Sequence, residues 1–324
     1  MTGHWLFRRI TTSIIVFFAA LVINFAIPRL MPGAPVDDIF TGGIELTPEA
    51  RQAIIERFGL DAPLWEQFWH YLINALNFDF GLSFNYFPKP VWDTILEALP
   101  WTLLVFVSSL ILQAIIGYFL GVTAAWNVGK KTDSILQTFS IGLFSTPLFW
   151  VAMVLLYIFG YRLDMFPLSG CYTIGASYEN VWEYIVDIMK HAALPIAALT
   201  INRYASYQLI LRNTMVSVLK EMYILTAEAK GLSEGRIKHR HAARNALLPM
   251  VTYLALSVSI VIGGSVYVEA VFSYPGIGKL IYDSVMTRDY PLLQGCFFMF
   301  SLITIVANFV VDILYMYLDP RIRY

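Results

Sequence analysis

Two glycine–lysine pairs and two closely spaced histidines are the first residues to suggest chemistry in this chain. Gly129-Lys130 and Gly278-Lys279 both lack the upstream glycine and the following Ser or Thr of a phosphate-binding loop. His239 and His241 lie two apart in a predicted helix and therefore on different faces, which argues against a shared metal ion. Serine, histidine and acidic residues form no local catalytic signature. We expect no bound cofactor, metal ion or nucleic acid, and no enzymatic activity.

Arg203 is the most informative charge within an apolar stretch, near the middle of a predicted membrane span at 192–212. A central arginine costs about 2.5–3.5 kcal/mol on insertion, so it should face neighbouring helices or water rather than lipid. It either lines a solute path and binds a carboxylate, or is a structural charge paired with a carboxylate or carbonyls. Tyr207 and Gln113 are further candidates for the path, although Gln113 could equally join two helices.

A basic, glycine-broken segment at 226–249 separates two long apolar spans. Gly231 predicts a left-handed end to a first helix that continues the preceding span through about 214–230. Ser233 predicts the cap of a second helix that runs toward Leu248. Such a helix–turn–helix, with little apolar surface of its own, is typical of an element that lies in another protein's groove. A solvated basic loop is the alternative interpretation.

Composition indicates that lipid is the main solvent. Of the 324 residues, 58% are hydrophobic and 14% are charged, and the mean hydropathy is +0.63. Cys171 and Cys296 have no metal-type spacing and are predicted to be packing residues. Apolar runs long enough to cross a bilayer predict six spans. They lie near 10–31, 100–126, 134–160, 192–212, 247–271 and 293–317.

Charge predicts the orientation of these spans. With the N-terminus inside, the inner segments hold 12 Lys and Arg, or 13 with Arg212, against five acids. The other side then holds eight Lys and Arg against 16 acids. Because basic loops remain in the cytoplasm, both termini are predicted to be cytoplasmic.

Residues 32–99 are predicted to form an extracytoplasmic insertion after the first span. Thr47-Pro48 begins a helix that Gly59 can end, and apolar residues every four positions from Leu64 predict an amphipathic second helix. A small cap over the bundle and a role in docking a partner are both compatible with this region. Glu179–Lys190 predicts a short interfacial helix.

Motifs along the whole chain resemble one family of transporters, the binding-protein-dependent ABC importer permeases. Within that family, the motifs resemble those of the B-type subunits of oligopeptide, dipeptide and nickel importers. The matching segments, in chain order, are Phe7-Arg8-Arg9-Ile10, Pro28 to Gly33, Asp79 to Phe84, Leu99 to Leu103, Gly121-Val122, Ser145 to Trp150, Tyr274 to Gly278, Arg288 to Pro291, Asn308 to Asp312 and Tyr315 to Tyr324.

The resemblance implies an all-α membrane protein with six transmembrane helices and the type I ABC importer permease fold. It implies an anchor helix with an extracytoplasmic region at 1–99 and a transmembrane domain at 100–324, with a coupling loop near 214–246. It also implies a prokaryotic inner or plasma membrane and four kinds of partner. These are a homologous second permease, two cytoplasmic ATPases that bind ATP and Mg, an extracytoplasmic substrate-binding protein and the lipid bilayer.

The resemblance also implies that the loop at 220–249 contacts the ATPases. The residues expected to do so are Ala227, Ala229, Lys230, Gly231, Leu232, Ser233, Arg236, His241 and Asn245. One departure concerns the general importer pattern of Glu-Ala-Ala, three residues, then Gly. The corresponding positions here are Leu225, Thr226 and Ala227, so only the last small residue is retained.

Short peptides are the solute that the resemblance favours, with nickel chelates or oligosaccharides as alternatives within the same class. A self-sufficient secondary transporter or channel is the competing class, and it would move solute without ATP. A membrane enzyme is a third class, for which the sequence contains no constellation of nucleophile, base or metal ligands.

Overall fold

The protein is built from helices. The structure is a computed structural model that describes residues 2–30 and 62–318. Within those ranges there is no strand, only an isolated antiparallel bridge between Leu82 and Pro90. The helices are α1 (Thr2–Leu30), α2 (Leu64–Leu76), α3 (Val91–Trp126), α4 (Lys131–Ser145), α5 (Leu148–Leu155), α6 (Val181–Val218), α7 (Met222–Ala229), α8 (Glu234–Arg236), α9 (Arg244–Val271), α10 (Ile277–Thr287) and α11 (Tyr290–Leu318).

Two π-helical segments complete the helical structure. Leu156–Arg162 continues α5, and Ile237–Ala243 joins α8 to α9. The chain divides into two compact units. The first contains residues up to 102 together with 275–306, and the second contains 103–274 together with the end of α11. The predicted division at residue 99 follows the sequence motifs and remains a prediction.

Several helices are suited to a membrane. Among the described residues, four are long and apolar enough to cross one, and a bent pair would make five. The four lie at Ile10–Ile27, Val91–Trp126, Val181–Val218 and Tyr290–Val310. α9 covers the predicted fifth span. The all-helical membrane protein is therefore confirmed, whereas the count of six spans remains a prediction.

The predicted third span at 134–160 is broken. Helix Lys131–Ser145 and helix Leu148–Arg162 are inclined by 99° to one another. Pro147 accounts for the break, because its ring disfavours a helical conformation for the residue before it. Thr146 accordingly has an extended backbone, with ψ of 132°. The apolar run predicted as the third span is therefore formed by two helices.

α6 joins two elements that the sequence analysis separated. The predicted interfacial helix at 179–190 and the fourth span are one helix of 38 residues. Its first turn is capped by Asn180, whose Oδ1 accepts a hydrogen bond from the Glu183 N–H at 2.9 Å. α6 ends at Val218 and α7 begins at Met222, so the predicted continuation through 214–230 is two helices.

α2 confirms the amphipathic helix predicted from Leu64 onward. Its buried residues Tyr71 and Ala75 pack against Leu21 and Phe25 of α1. Arg29 of α1 also donates to Gln67 Oε1, with the shorter bond at 2.8 Å. The helix predicted between Thr47 and Gly59 lies outside the described residues.

Candidate functional site

The basic hairpin, residues 220–249, turns at Gly231. This glycine has φ of +71°, and the end of α7 has the hydrogen bonds of a Schellman motif. The Gly231 N–H donates to the Glu228 carbonyl at 2.9 Å, and the Leu232 N–H donates to the Ala227 carbonyl at 3.3 Å. The predicted left-handed helix end is confirmed. Glycine suits the position because other residues are strained at positive φ.

The second arm of the hairpin runs into the next span without interruption. Ser233 precedes α8 as predicted, but its side chain makes no capping hydrogen bond. Its carbonyl instead accepts from the Arg236 and Ile237 N–H groups. The chain then passes through the π-helical segment into α9, and Pro249 lies inside that helix. The second helix, predicted to run toward Leu248, thus continues into the next span.

The inner face of the hairpin is apolar and buried. Its residues share a core cluster with α3 and α6, centred on Tyr207, Leu211 and Met215. The hairpin members of that cluster are Ile224, Ala227, Ile237, Ala242, Ala243 and Ala246. The sequence analysis predicted little apolar surface, and this was wrong. Ala227 and Ala229 were both predicted to face a partner, whereas Ala227 belongs to the buried cluster and Ala229 is exposed.

The outer face carries most of the predicted contact residues. Ala229, Lys230, Gly231, Ser233, Arg236 and Asn245 are exposed, and Leu232 and His241 are half-buried. Ala227 is the exception, because only 5% of it is exposed and its side chain packs inside the chain. In this conformation Ala227 positions α7 and does not present a surface.

Met222 and Leu225 were missed by the sequence analysis. They lie three apart on the face of α7 opposite Ile224 and Ala227, and are 74% and 59% exposed. The sequence did contain a signal for this surface, because the short helix α7 has apolar residues at helical spacing on two opposite faces. One stripe packs within the chain, and the other is an uncovered apolar surface on the outer face.

Polar side chains tie the hairpin to its surroundings. Asn245 Nδ2 donates to Tyr223 Oη at 2.8 Å, which links the start of α9 to α7. A hydrogen bond of 3.2 Å joins Tyr118 Oη of α3 to His239 Nδ1. No group of three or more His, Cys, Asp or Glu suited to a metal ion occurs among the described residues.

α3 packs closely against α6, the helix that precedes the hairpin. A Cβ added at Gly117 would lie 2.3 Å from Tyr207 Cβ, and one at Gly121 would lie 2.9 Å from the Gln208 carbonyl oxygen. Both positions therefore require glycine. The helix from which the hairpin emerges is held firmly by its neighbour.

The three predicted path residues have different surroundings. Tyr207 and Gln113 are fully buried. Tyr207 Oη is hydrogen-bonded to Ser257 Oγ, and Gln113 Nε2 donates to the Leu199 carbonyl at 3.3 Å. Both side chains lie between helices of this chain, so neither lines an open path in this conformation. Arg203 is half-buried, and its Cζ lies 5.8 Å from the centre of the Phe144 ring.

The structure also pairs motifs that are far apart in the sequence, within the first unit. Asp289 accepts from Ser83 Oγ at 2.5 Å, from the Asn85 N–H at 3.0 Å and from the Leu292 N–H at 3.1 Å. Thr102 Oγ1 accepts from the Ile277 N–H at 2.7 Å, at the start of α10. Each pair joins two of the motif segments identified in the sequence and caps a helix.

The two cysteines are buried and form no disulfide with one another, in keeping with their predicted packing role. Burial raises the pKa of the Cys171 thiol to about 11. At neutral pH this cysteine is therefore a thiol and not a reactive thiolate.

Comparison with known proteins identifies the family. Residues 117–324 match the binding-protein-dependent transport system inner membrane component family, and residues 2–106 match the N-terminal region of such membrane components. The chain is 34% identical over 330 residues to the di/tripeptide transport system permease protein DppB of Pseudomonas aeruginosa, covering 98% of each chain.

Two further relatives are similar to almost the whole chain. It is 35% identical over 321 residues to the oligopeptide transport system permease protein AppB of Bacillus subtilis, and likewise to the glutathione transport system permease protein GsiC of Escherichia coli K12. Each alignment covers 99% of both chains. The chain belongs to the family of binding-protein-dependent transport system inner membrane components, and is a permease subunit of an ABC importer rather than an enzyme.

Proposed function

We propose that this chain forms half of the translocation pathway of an ATP-driven importer of short peptides. Its basic hairpin is the element through which cytoplasmic ATPases move the bundle. The uncovered apolar face of α7, with Met222 and Leu225, is the observation that carries this proposal. An apolar helix face on an otherwise basic surface is suited to a groove in a partner protein.

Rigid attachment of the hairpin supports its use as a lever. Ile224 and Ile237 are almost fully buried against residues of α3 and α6. A force applied to the outer face of α7 would therefore reach the spans through packed side chains rather than through a loose loop. In this arrangement Lys230 and Arg236 are exposed beside the groove-binding face.

Short peptides are the preferred solute because the three relatives named above are, by their names, carriers of di- and tripeptides, oligopeptides and glutathione. Nickel chelates and oligosaccharides have no comparable support. A stand-alone secondary transporter would need no surface for an ATPase, and the basic hairpin argues against it.

The complete importer requires partners that this chain does not supply. We propose a homologous second permease, two cytoplasmic ATPases that bind ATP and Mg, and an extracytoplasmic substrate-binding protein. The hairpin and both termini then lie in the cytoplasm, as the distribution of basic residues indicates.

Exchanging the turn glycine tests this function. In a complex reconstituted in liposomes, Gly231→Arg should abolish ATP-dependent peptide uptake while the chain still inserts into the membrane. A residue other than glycine at φ of +71° costs about 1–2 kcal/mol and displaces α7 from α8. Gly235→Arg is the matched control, because it adds the same side chain in open space without a positive φ.

Leu225→Asp is a second variant that leaves the turn intact. It should reduce the amount of ATPase that copurifies by about tenfold or more, since apolar anchors dominate protein interfaces. Normal uptake by Gly231→Arg together with undiminished ATPase binding by Leu225→Asp would refute the assigned role of the hairpin.

A further inference from the structure

Arg203 is a cation for which the described part of the chain supplies no counter-charge. Its guanidinium group lies beside the Phe144 ring, with 5.8 Å between Cζ and the ring centre. Among the side chains that the structure describes, no carboxylate or carbonyl pairs with it, and the Phe144 ring is its described neighbour. An ionised side chain in the middle of a membrane span marks a functional site by default.

Arg212 of the same helix is, by comparison, an arginine with a carboxylate partner. Its Nη2 and Nε donate to Asp133 at 2.6 Å and 3.1 Å. Nine residues of α-helix correspond to about 180° of rotation, so Arg203 and Arg212 point to opposite faces of α6. Among the described residues Arg212 is thus paired with a carboxylate, whereas Arg203 is not.

The position of Arg203 is defined by its neighbours. Asn202 Nδ2 donates to the Thr146 carbonyl at 2.8 Å, and Tyr204 Oη accepts from Ser140 Oγ at 3.2 Å. Both residues are buried. These bonds hold α6 against the end of α4 and the break at Thr146. Arg203 is therefore presented at a fixed place on a rigid helix.

Further polar residues on α6 lie between Arg203 and the basic hairpin. Ser206, Asn213 and Ser217 are on the same side of the helix as Arg203 and are half-buried or exposed, with Ile210 among them on that side. They extend over about 21 Å at 1.5 Å per residue. Polar side chains on one side of a membrane helix are suited to a water-filled path.

We propose that Arg203 binds the carboxylate of the peptide during its passage through the bundle, with the Phe144 ring packed beside the guanidinium group. This inference rests on the proposed import of peptides and deepens it. A planar guanidinium group matches a carboxylate with two parallel hydrogen bonds, and a short peptide carries a carboxylate at its C-terminus. The charge is neutralised only while solute is bound.

The test uses the whole reconstituted importer with saturating, preloaded binding protein. Under this condition selection by the binding protein no longer limits the rate. Two probes are compared in wild type and in Arg203→Gln: a tripeptide with a free C-terminal carboxylate and the same tripeptide with a C-terminal amide.

Arg203→Gln should slow import of the free acid by about tenfold and leave import of the amide almost unchanged, because only the acid loses a charged hydrogen bond. Arg203→Lys should restore a part of the lost rate. Lys190→Gln removes an exposed charge from the same helix and should behave as wild type.

Equal slowing of acid and amide, or loss of the second permease from purified Arg203→Gln complexes, would assign Arg203 to the subunit interface and overturn the inference. Import of the acid at the wild-type rate would also overturn it, with the proposed function intact. Absence of ATP-dependent import by the wild-type complex would refute the proposed function, and the inference with it.

Discussion

The basic hairpin and the loop at 163–180 are two connections of the same unit that are held in different ways. The hairpin is held by apolar packing, with Ile237 only 3% exposed. In the loop, three hydrogen bonds converge on one carboxylate. Asp187 accepts from the Thr173 N–H at 2.6 Å, from Thr173 Oγ1 at 2.8 Å and from Tyr178 Oη at 2.7 Å.

The difference shows which connection can transmit force. Hydrogen bonds to one side chain fix a loop locally, but they leave most of the loop in solvent. Packing of many side chains joins the hairpin to two long helices, so the hairpin and these helices move together. We infer that the hairpin can transmit a force to the membrane helices, whereas the loop at 163–180 cannot.

The largest effect is expected from Ile237→Ala, which removes a buried anchor of the hairpin. The cavity should lower the free energy of unfolding by about 3 kcal/mol. Leu225→Ala, on the exposed face, should change it by less than about 0.5 kcal/mol. Thermal unfolding of the permease purified without the ATPases measures both. Equal effects of the two variants would break the distinction between the inner and outer faces of the hairpin.

A smaller effect is expected from Asp187→Ala, which leaves the Thr173 and Tyr178 donors without their acceptor. Stability should fall by about 1–3 kcal/mol, and proteases should cut the loop at 163–180 sooner. Asp187→Asn retains one acceptor oxygen and should have an intermediate effect. If proteases cut the basic hairpin more readily than the loop, the two connections are not held independently.

The smallest effect is expected from Tyr178→Phe, which removes one of the three donors to Asp187. The same bond gives a pH prediction, because donation to the carboxylate raises the pKa of Tyr178 from 10.0 to about 12. A pKa raised on folding stabilises the folded state below the unfolded value and ceases to do so as the pH passes the folded value.

Protease resistance of the loop should thus be constant from about pH 6 to about pH 9 and fall between pH 10.0 and about 12 in the wild type. Tyr178→Phe should lack this fall. A loop that loosens near neutral pH would show that another group holds it.

Much of the helical arrangement was predictable, because its signals are local. Apolar runs indicated α1, α3 and α11, and glycine indicated the left-handed end of α7. The break before Pro147 also had a local signal, the proline itself. The apolar pattern continues through this proline, however, so the break was not predicted. The continuity of α6 was not predictable, since Pro195 is tolerated inside a helix that neighbours support.

The candidate site divides in the same way. Gly231 was identified from its residue type and position, and Lys230 and Arg236 from the resemblance to importer permeases. The structure leaves all three exposed. Tyr207 and Gln113 were selected as polar residues in apolar spans, but a hydrogen-bonding side chain is equally suited to joining helices. The sequence does not reveal whether these two side chains face a path or a neighbouring helix.

The sequence by itself determined the helical class, the candidate membrane spans and the glycine turn of the hairpin, because composition, length and backbone conformation depend on neighbouring residues. Only the tertiary structure decided which face of α7 is buried, that Asp133 neutralises Arg212, and that no described carboxylate does so for Arg203. Those outcomes depend on distances between residues far apart in the chain, which packing sets and local pattern does not.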